Sequence, residues 1–164
     1  MTVDNRLKRV LFAGVCILLL GVGCSSKKDT TEITVFFPNY IWNRFEPVDT
    51  VFTVSDANKV YDVSLMLSIM DGFKLDMIPL EIVITSPDGQ ENIITKTFAL
   101  KDKEGNHIGS VFGNTWTVEL PVYTQKEFQP EGKYTISILN RTQYYDLPLV
   151  KSLSLKIFSV KKQE

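Results

Sequence analysis

The chain has 164 residues, 18 basic and 19 acidic side chains, a net charge of −1 and one histidine. Such a balance leaves no basic stripe, so nucleic acid is not an expected partner. Two cysteines, Cys16 and Cys24, and a lone His107 leave little material for thiol, metal or Ser-His-Asp chemistry.

Residues 1–23 read as a secretory leader: Arg6, Lys8 and Arg9 precede an uncharged apolar run over 10–23. That run is shorter than the roughly 20 residues of a membrane-spanning helix. It ends in small residues and then Cys24, followed by Ser25 and Ser26. The stretch resembles the lipobox of bacterial lipoproteins, which implies that Cys24 receives a lipid and becomes the new N-terminus. Cleavage there removes Cys16, so the mature chain has no disulfide and is held by its core alone. Residues 24–31 are expected to be the lipidated cysteine and a flexible tether, because "SSKKDTT" carries no apolar side chain.

From residue 32 the pattern alternates with period two, the signature of strands with one buried face. Weaker candidates lie at 33–37 and 50–54. Val63, Leu65, Leu67 and Ile69 then share a face, as do Leu80, Ile82 and Ile84. Further candidates at 92–100 and 107–112 precede Trp116, Val118 and Leu120, then Tyr134, Ile136 and Ile138, and finally Leu153, Leu155 and Ile157. Turns separate them: "SPDG" at 86–89 has Pro87 second and Gly89 last, "KDKEGNH" centres on Gly105, and "PEGK" introduces the strand from Lys133. About seven to nine short strands with such turns predict an all-β antiparallel sandwich, immunoglobulin-like, over 32–160, with a closed barrel as the alternative and 161–164 as a tail. Two connections, 71–79 and 140–149, are longer than a hairpin needs and mix aromatic, apolar and charged residues, which makes them candidate functional loops.

Chemistry is sparse. His107 lies just past a turn and reads as an exposed edge residue. Asp102, Glu104 and Asn106 alternate like a calcium loop, but the glycine and glutamate such a loop requires fall on His107 and Gly113. No nucleophile elbow or phosphate loop is present in the sequence, so neither enzymatic activity nor a cofactor is expected. Trp42, Tyr144 and Tyr145 form the candidate set for a sugar-stacking platform; Trp116, in phase with Val118 and Leu120, is expected in the core.

The segments Ser86–Gly89, Leu100–Gly105, Gly105–Gly109, Phe128–Tyr134 and Leu153–Ile157 together resemble the gliding-motility-associated lipoproteins of the H type from Bacteroidetes, over about 32–160. The resemblance implies a non-catalytic envelope lipoprotein that contacts the gliding and type IX secretion machinery. The alternative is a surface glycan-binding lipoprotein. Lys27 and Lys28 precede Asp29 after the cysteine, whereas surface-exported lipoproteins of that phylum carry acidic residues first. An outer-membrane anchor facing the periplasm is therefore expected. "DTT" at 29–31 and "DTV" at 49–51 resemble the O-glycosylation sequon of the same phylum.

Overall fold

The computed structural model describes residues 30–160; the leader, Cys24 and the 161–164 tail lie outside the described residues. Among the described residues eleven strands run β1 (Thr30–Phe36), β2 (Ile41–Asn43), β3 (Val48–Val54), β4 (Val60–Met70), β5 (Met77–Thr85), β6 (Glu91–Ala99), β7 (Ser110–Phe112), β8 (Thr115–Glu127), β9 (Gly132–Asn140), β10 (Asp146–Pro148) and β11 (Val150–Val160). The first strand begins two residues before the expected tether boundary, so Thr30 and Thr31 are strand residues paired with Phe158 and Ile157.

One sheet has the order β1-β11-β4-β8-β7 and the other β3-β9-β5-β6, while β2 and β10 form a small antiparallel pair. All pairings are antiparallel, and the two sheets stay open rather than closing into a barrel. The antiparallel sandwich is as read from the sequence. Its connectivity is a finer matter: the eight longer strands cross between sheets at nearly every connection, the wiring of a jelly roll rather than of an immunoglobulin domain.

The alternating side chains meet between the sheets. Leu65, Leu67, Ile69 and Val63 of β4 face Leu80, Ile82 and Ile136 across the core, all essentially inaccessible to water. Burial of each such side chain contributes about 1.5–3 kcal/mol, which lets a disulfide-free domain of this size hold together. Near one end Phe128 meets Phe52, Tyr61 and Tyr134 at ring-centroid distances of 5.2–5.9 Å, largely edge to face.

The predicted turns are present. Gly89 and Gly105 have φ of +84° and +87°, in the region open to glycine. In the first turn Ser86 and Asp88 are hydrogen-bonded through their side chains. Gly109 has a stronger requirement: a Cβ there would overlap the carbonyl oxygen of Thr117 on β8.

The sandwich has two distinct ends. Thr30, Val54, Val60, Glu127, Gly132 and Phe158 share one, as the registers and the short connections 55–59 and 128–131 require. The opposite end collects Phe36, β2, β10 and the connections 71–76, 100–109 and 141–145.

Candidate functional site

The end opposite Thr30 is where the two long connections meet. The Met70 amide donates to Leu149 O (2.9 Å), which pins the start of the first connection against the second, and the Asp71 amide donates to Asn114 O (2.9 Å) in the β7–β8 hairpin. Between them lies an apolar cleft of about 220 Å³ lined by Phe73, Leu75, Tyr144, Leu147, Pro148 and Leu149. Backbone geometry shapes it: Leu149 has φ of +65° and Gly72 +89°, so the chain turns sharply on both walls.

Beside the cleft, β2 and β10 form a strap across the end of the sandwich. Trp42 on β2 stacks on Phe37 with centroids 5.1 Å apart and is 1% exposed. Asn140, fully buried at the end of β9, donates from Nδ2 to the Trp42 carbonyl (3.2 Å) and accepts from Thr142 Oγ1 (2.8 Å). This polar pair ties the strap to the core. On the outer side of the strap, Phe45 and Tyr145 are 5.6 Å apart and both about two-thirds exposed. The Arg44 guanidinium carbon sits 5.7 Å from each ring, a cation held over two aromatic faces. The strap's strand bonds continue there, with the Arg44 amide donating to Tyr145 O at 2.8 Å.

Among the described residues, every exposed large apolar side chain except Ile93 lies at this end. Phe36 closes β1, Phe45 and Tyr145 crown the strap, and Phe112, at 91% exposure, tips the β7–β8 hairpin. This concentration of exposed aromatic side chains makes the end the candidate site.

The proposed sugar platform does not assemble. Trp42 is locked in the core because its strand covers the end of the sandwich, so of the three only Tyr144 and Tyr145 reach solvent. His107 is also placed differently from the expectation: its ring lies 3.8 Å from that of Trp116 and is half-buried, since residues 107 and 101 form a bridge that folds the turn back onto β8. Trp116 is half-buried and packs against the core. The 102–106 tip is a self-contained turn. The Asp102 carboxylate accepts the amides of Glu104 (3.0 Å) and Asn106 (2.8 Å), which together lower its pKa below the ordinary 3.8. Among the described residues no group of three or more His, Cys, Asp or Glu is placed to hold a metal. Thr50, in the second glycosylation-like triplet, is buried, whereas Thr30 is exposed on β1. Phe45, Arg44 and Phe112 were not singled out from sequence. Each is a single residue within a turn-like stretch, and only its neighbours in space give it meaning.

A jelly-roll sandwich with an aromatic, cleft-bearing end is the class of protein that the described residues define. The sequence over residues 30–157 matches the model of the GldH lipoprotein family, and the chain belongs to that family. It is thus a gliding-related lipoprotein of the cell envelope, in a family not known for enzymes. No curated protein matches the chain. Among solved structures, the infectious bursal disease virus VP2 subviral particle aligns at 17% identity and a TM-score of 0.42. The Gx strain of the same virus aligns at 14% and 0.33. Each alignment covers 80% of this chain and 33% of the viral one, so the chain spans about a third of those proteins' length.

Proposed function

We propose that the protein is an outer-membrane lipoprotein, anchored through a lipid on Cys24 and facing the periplasm. Its sandwich works without catalysis, by contacting other proteins of the gliding and type IX secretion machinery. The observation that carries the reading is the segregation of exposed aromatic residues to the end opposite Thr30. The six residues from Cys24 to Asp29 span at most about 20 Å, which keeps the Thr30 end nearest the bilayer. β1 then carries the chain about 23 Å further along the sandwich. The aromatic end therefore stands away from the protein's own membrane, where its occupant is another protein rather than the anchoring lipid.

The site's make-up fits such an occupant. The cleft is sized for one or two apolar side chains, and Arg44 beside it supplies a positive charge already partly desolvated by two rings. Tyr and Arg flanking an apolar pocket is the arrangement that concentrates binding energy in protein interfaces. Photocrosslinking from Tyr145 in intact envelopes, followed by mass spectrometry, tests the reading. Motility or secretion components are expected in the products; products containing only lipid, or no product, would refute it.

A further inference from the structure

Among the described residues the sandwich leaves a long strand edge unprotected. Sheet edges are templates for pairing, and proteins blunt them with proline, bulges, short strands or lysine. On one side of the sandwich β1 and β3 approach each other. On the other side β7 is only three residues long, and β8 carries Pro121, two register shifts opposite β4 and a positive φ at Gln125. Facing them is β6, nine residues of "ENIITKTFA", in unbroken register with β5 from Glu91 to Ala99 and without a proline. Among the described residues no strand lies on its outer side.

The direction of its backbone groups follows from the ladder. The Ser86 amide donates to Gln90 O (2.9 Å) and the Leu100 amide to Asp76 O (2.8 Å). Even-numbered residues of β6 therefore exchange hydrogen bonds with β5, and antiparallel alternation points the N–H and C=O groups of Glu91, Ile93, Thr95 and Thr97 outward. The one lysine, Lys96, does not guard them, because its Nζ reaches across to donate to Pro121 O at 2.7 Å. Ile93 is 62% exposed, and among the described residues it is the single exposed large apolar side chain outside the aromatic end. Beside the first half of the edge runs a groove of about 280 Å³ floored by Asn92, Tyr123 and Lys126, room for the side chains of an added strand.

We propose that β6 is a docking edge that takes an extended segment of a different envelope protein as a fifth strand of its sheet. The segment's chemistry follows from the edge: main-chain hydrogen bonds supply the affinity, and alternating β-branched and small polar side chains meet Ile93, Thr95 and Thr97 on one face and the polar groove on the other. A second copy is disfavoured by geometry. Antiparallel pairing of two β6 edges inverts one sandwich and puts its Thr30 end away from the membrane; this step rests on the lipid-anchor reading, whereas the open edge does not.

Two measurements test it. In the purified mature chain, the amides of Ile93, Thr95 and Thr97 should exchange with solvent at least tenfold faster than those of Asn92, Ile94 and Lys96; equal protection would overturn the open edge. In intact envelopes, a photocrosslinker at Ile93 should join the chain to a second protein. Thr95→Pro removes an outward N–H without touching the β5 ladder, and Thr95→Lys places a charge at the junction. Both should lower the yield at least tenfold, while Thr95→Val retains it, and the lysine variant covers any misfolding by the proline one. No product, a product insensitive to Thr95, or a product with the mass of two copies would overturn the proposal. A Tyr145 crosslink measured in parallel does not depend on Thr95, so failure at this edge is distinguishable from failure of the aromatic-end reading.

Discussion

Asn140→Ala should detach the strap on which the aromatic end is built. The side chain is inaccessible and makes two bonds, to the Trp42 carbonyl at 3.2 Å and from Thr142 Oγ1 at 2.8 Å. Thr142 is itself buried, so truncation leaves its hydroxyl without that partner. Each lost bond costs about 0.5–1.5 kcal/mol net, and stranding a buried hydroxyl adds about 1–3 kcal/mol. The expected total is about 3 kcal/mol. With a urea dependence of about 2 kcal/mol per molar, the unfolding midpoint should fall by about 1.5 M. The assay is urea unfolding of the mature chain carrying Cys24→Ser, read by fluorescence with Trp116→Phe so that Trp42 alone reports. A Thr142→Val partner variant completes a cycle in which the coupling should reach about 1 kcal/mol. A loss below about 1 kcal/mol, or no coupling, would refute the claim that this pair holds the strap.

Other outcomes follow from the same geometry. Gly109→Ala should destabilise by about 2 kcal/mol or more in the same unfolding assay, because its φ of +105° and the Thr117 carbonyl both oppose a Cβ; a neutral variant would contradict that placement. Phe45→Ala should change stability by no more than about 0.5 kcal/mol, because Phe45 is exposed, yet abolish crosslinking from a probe at Tyr145; retained crosslinking would speak against the site. Asp102 should titrate below 3.8, because its charged form accepts two amides. Its depressed folded pKa means that the turn's contribution is present above the unfolded value and lost as pH falls through the folded one. An NMR titration of the carboxyl carbon checks this, and a midpoint at or above 3.8 would be inconsistent with the turn. Cys24→Ala should lose labelling by a palmitate analogue, and unchanged labelling would remove the anchor from the account.

Much of the sandwich was readable because burial and strand period coincide. The face Val63, Leu65, Leu67 and Ile69 is inaccessible throughout, and the turns at Gly89 and Gly105 fall where Pro87 and the polar runs put them. Sheet order was not readable. Every antiparallel strand with one buried face shows the same alternation, whichever neighbour it pairs with, so jelly-roll and immunoglobulin wiring look alike in sequence. Trp42 shows a second limit. It sits in a short aromatic stretch that resembles a solvent platform, and only the closure of β2 against β10 and the bond from Asn140 bury it. Conversely, the two long connections at 71–79 and 140–149 were visible as functional candidates from composition, and they share a cleft. Their meeting, and the arrival of Phe45 and Arg44 beside Tyr145, depends on contacts about a hundred residues apart in the chain, such as Asn43 Nδ2 to Asp146 Oδ1 at 2.9 Å. The free edge of β6 is likewise invisible in sequence, because its alternation matches that of a paired strand.

The most direct test of the whole account compares two photocrosslinkers in intact envelopes, one at Tyr145 on the aromatic end and one at Asn58 on the Thr30 end. Gliding or secretion proteins are expected to be joined at Tyr145, with phospholipid or no partner at Asn58. The reverse pattern, with lipid at Tyr145 and protein only at Asn58, would contradict it.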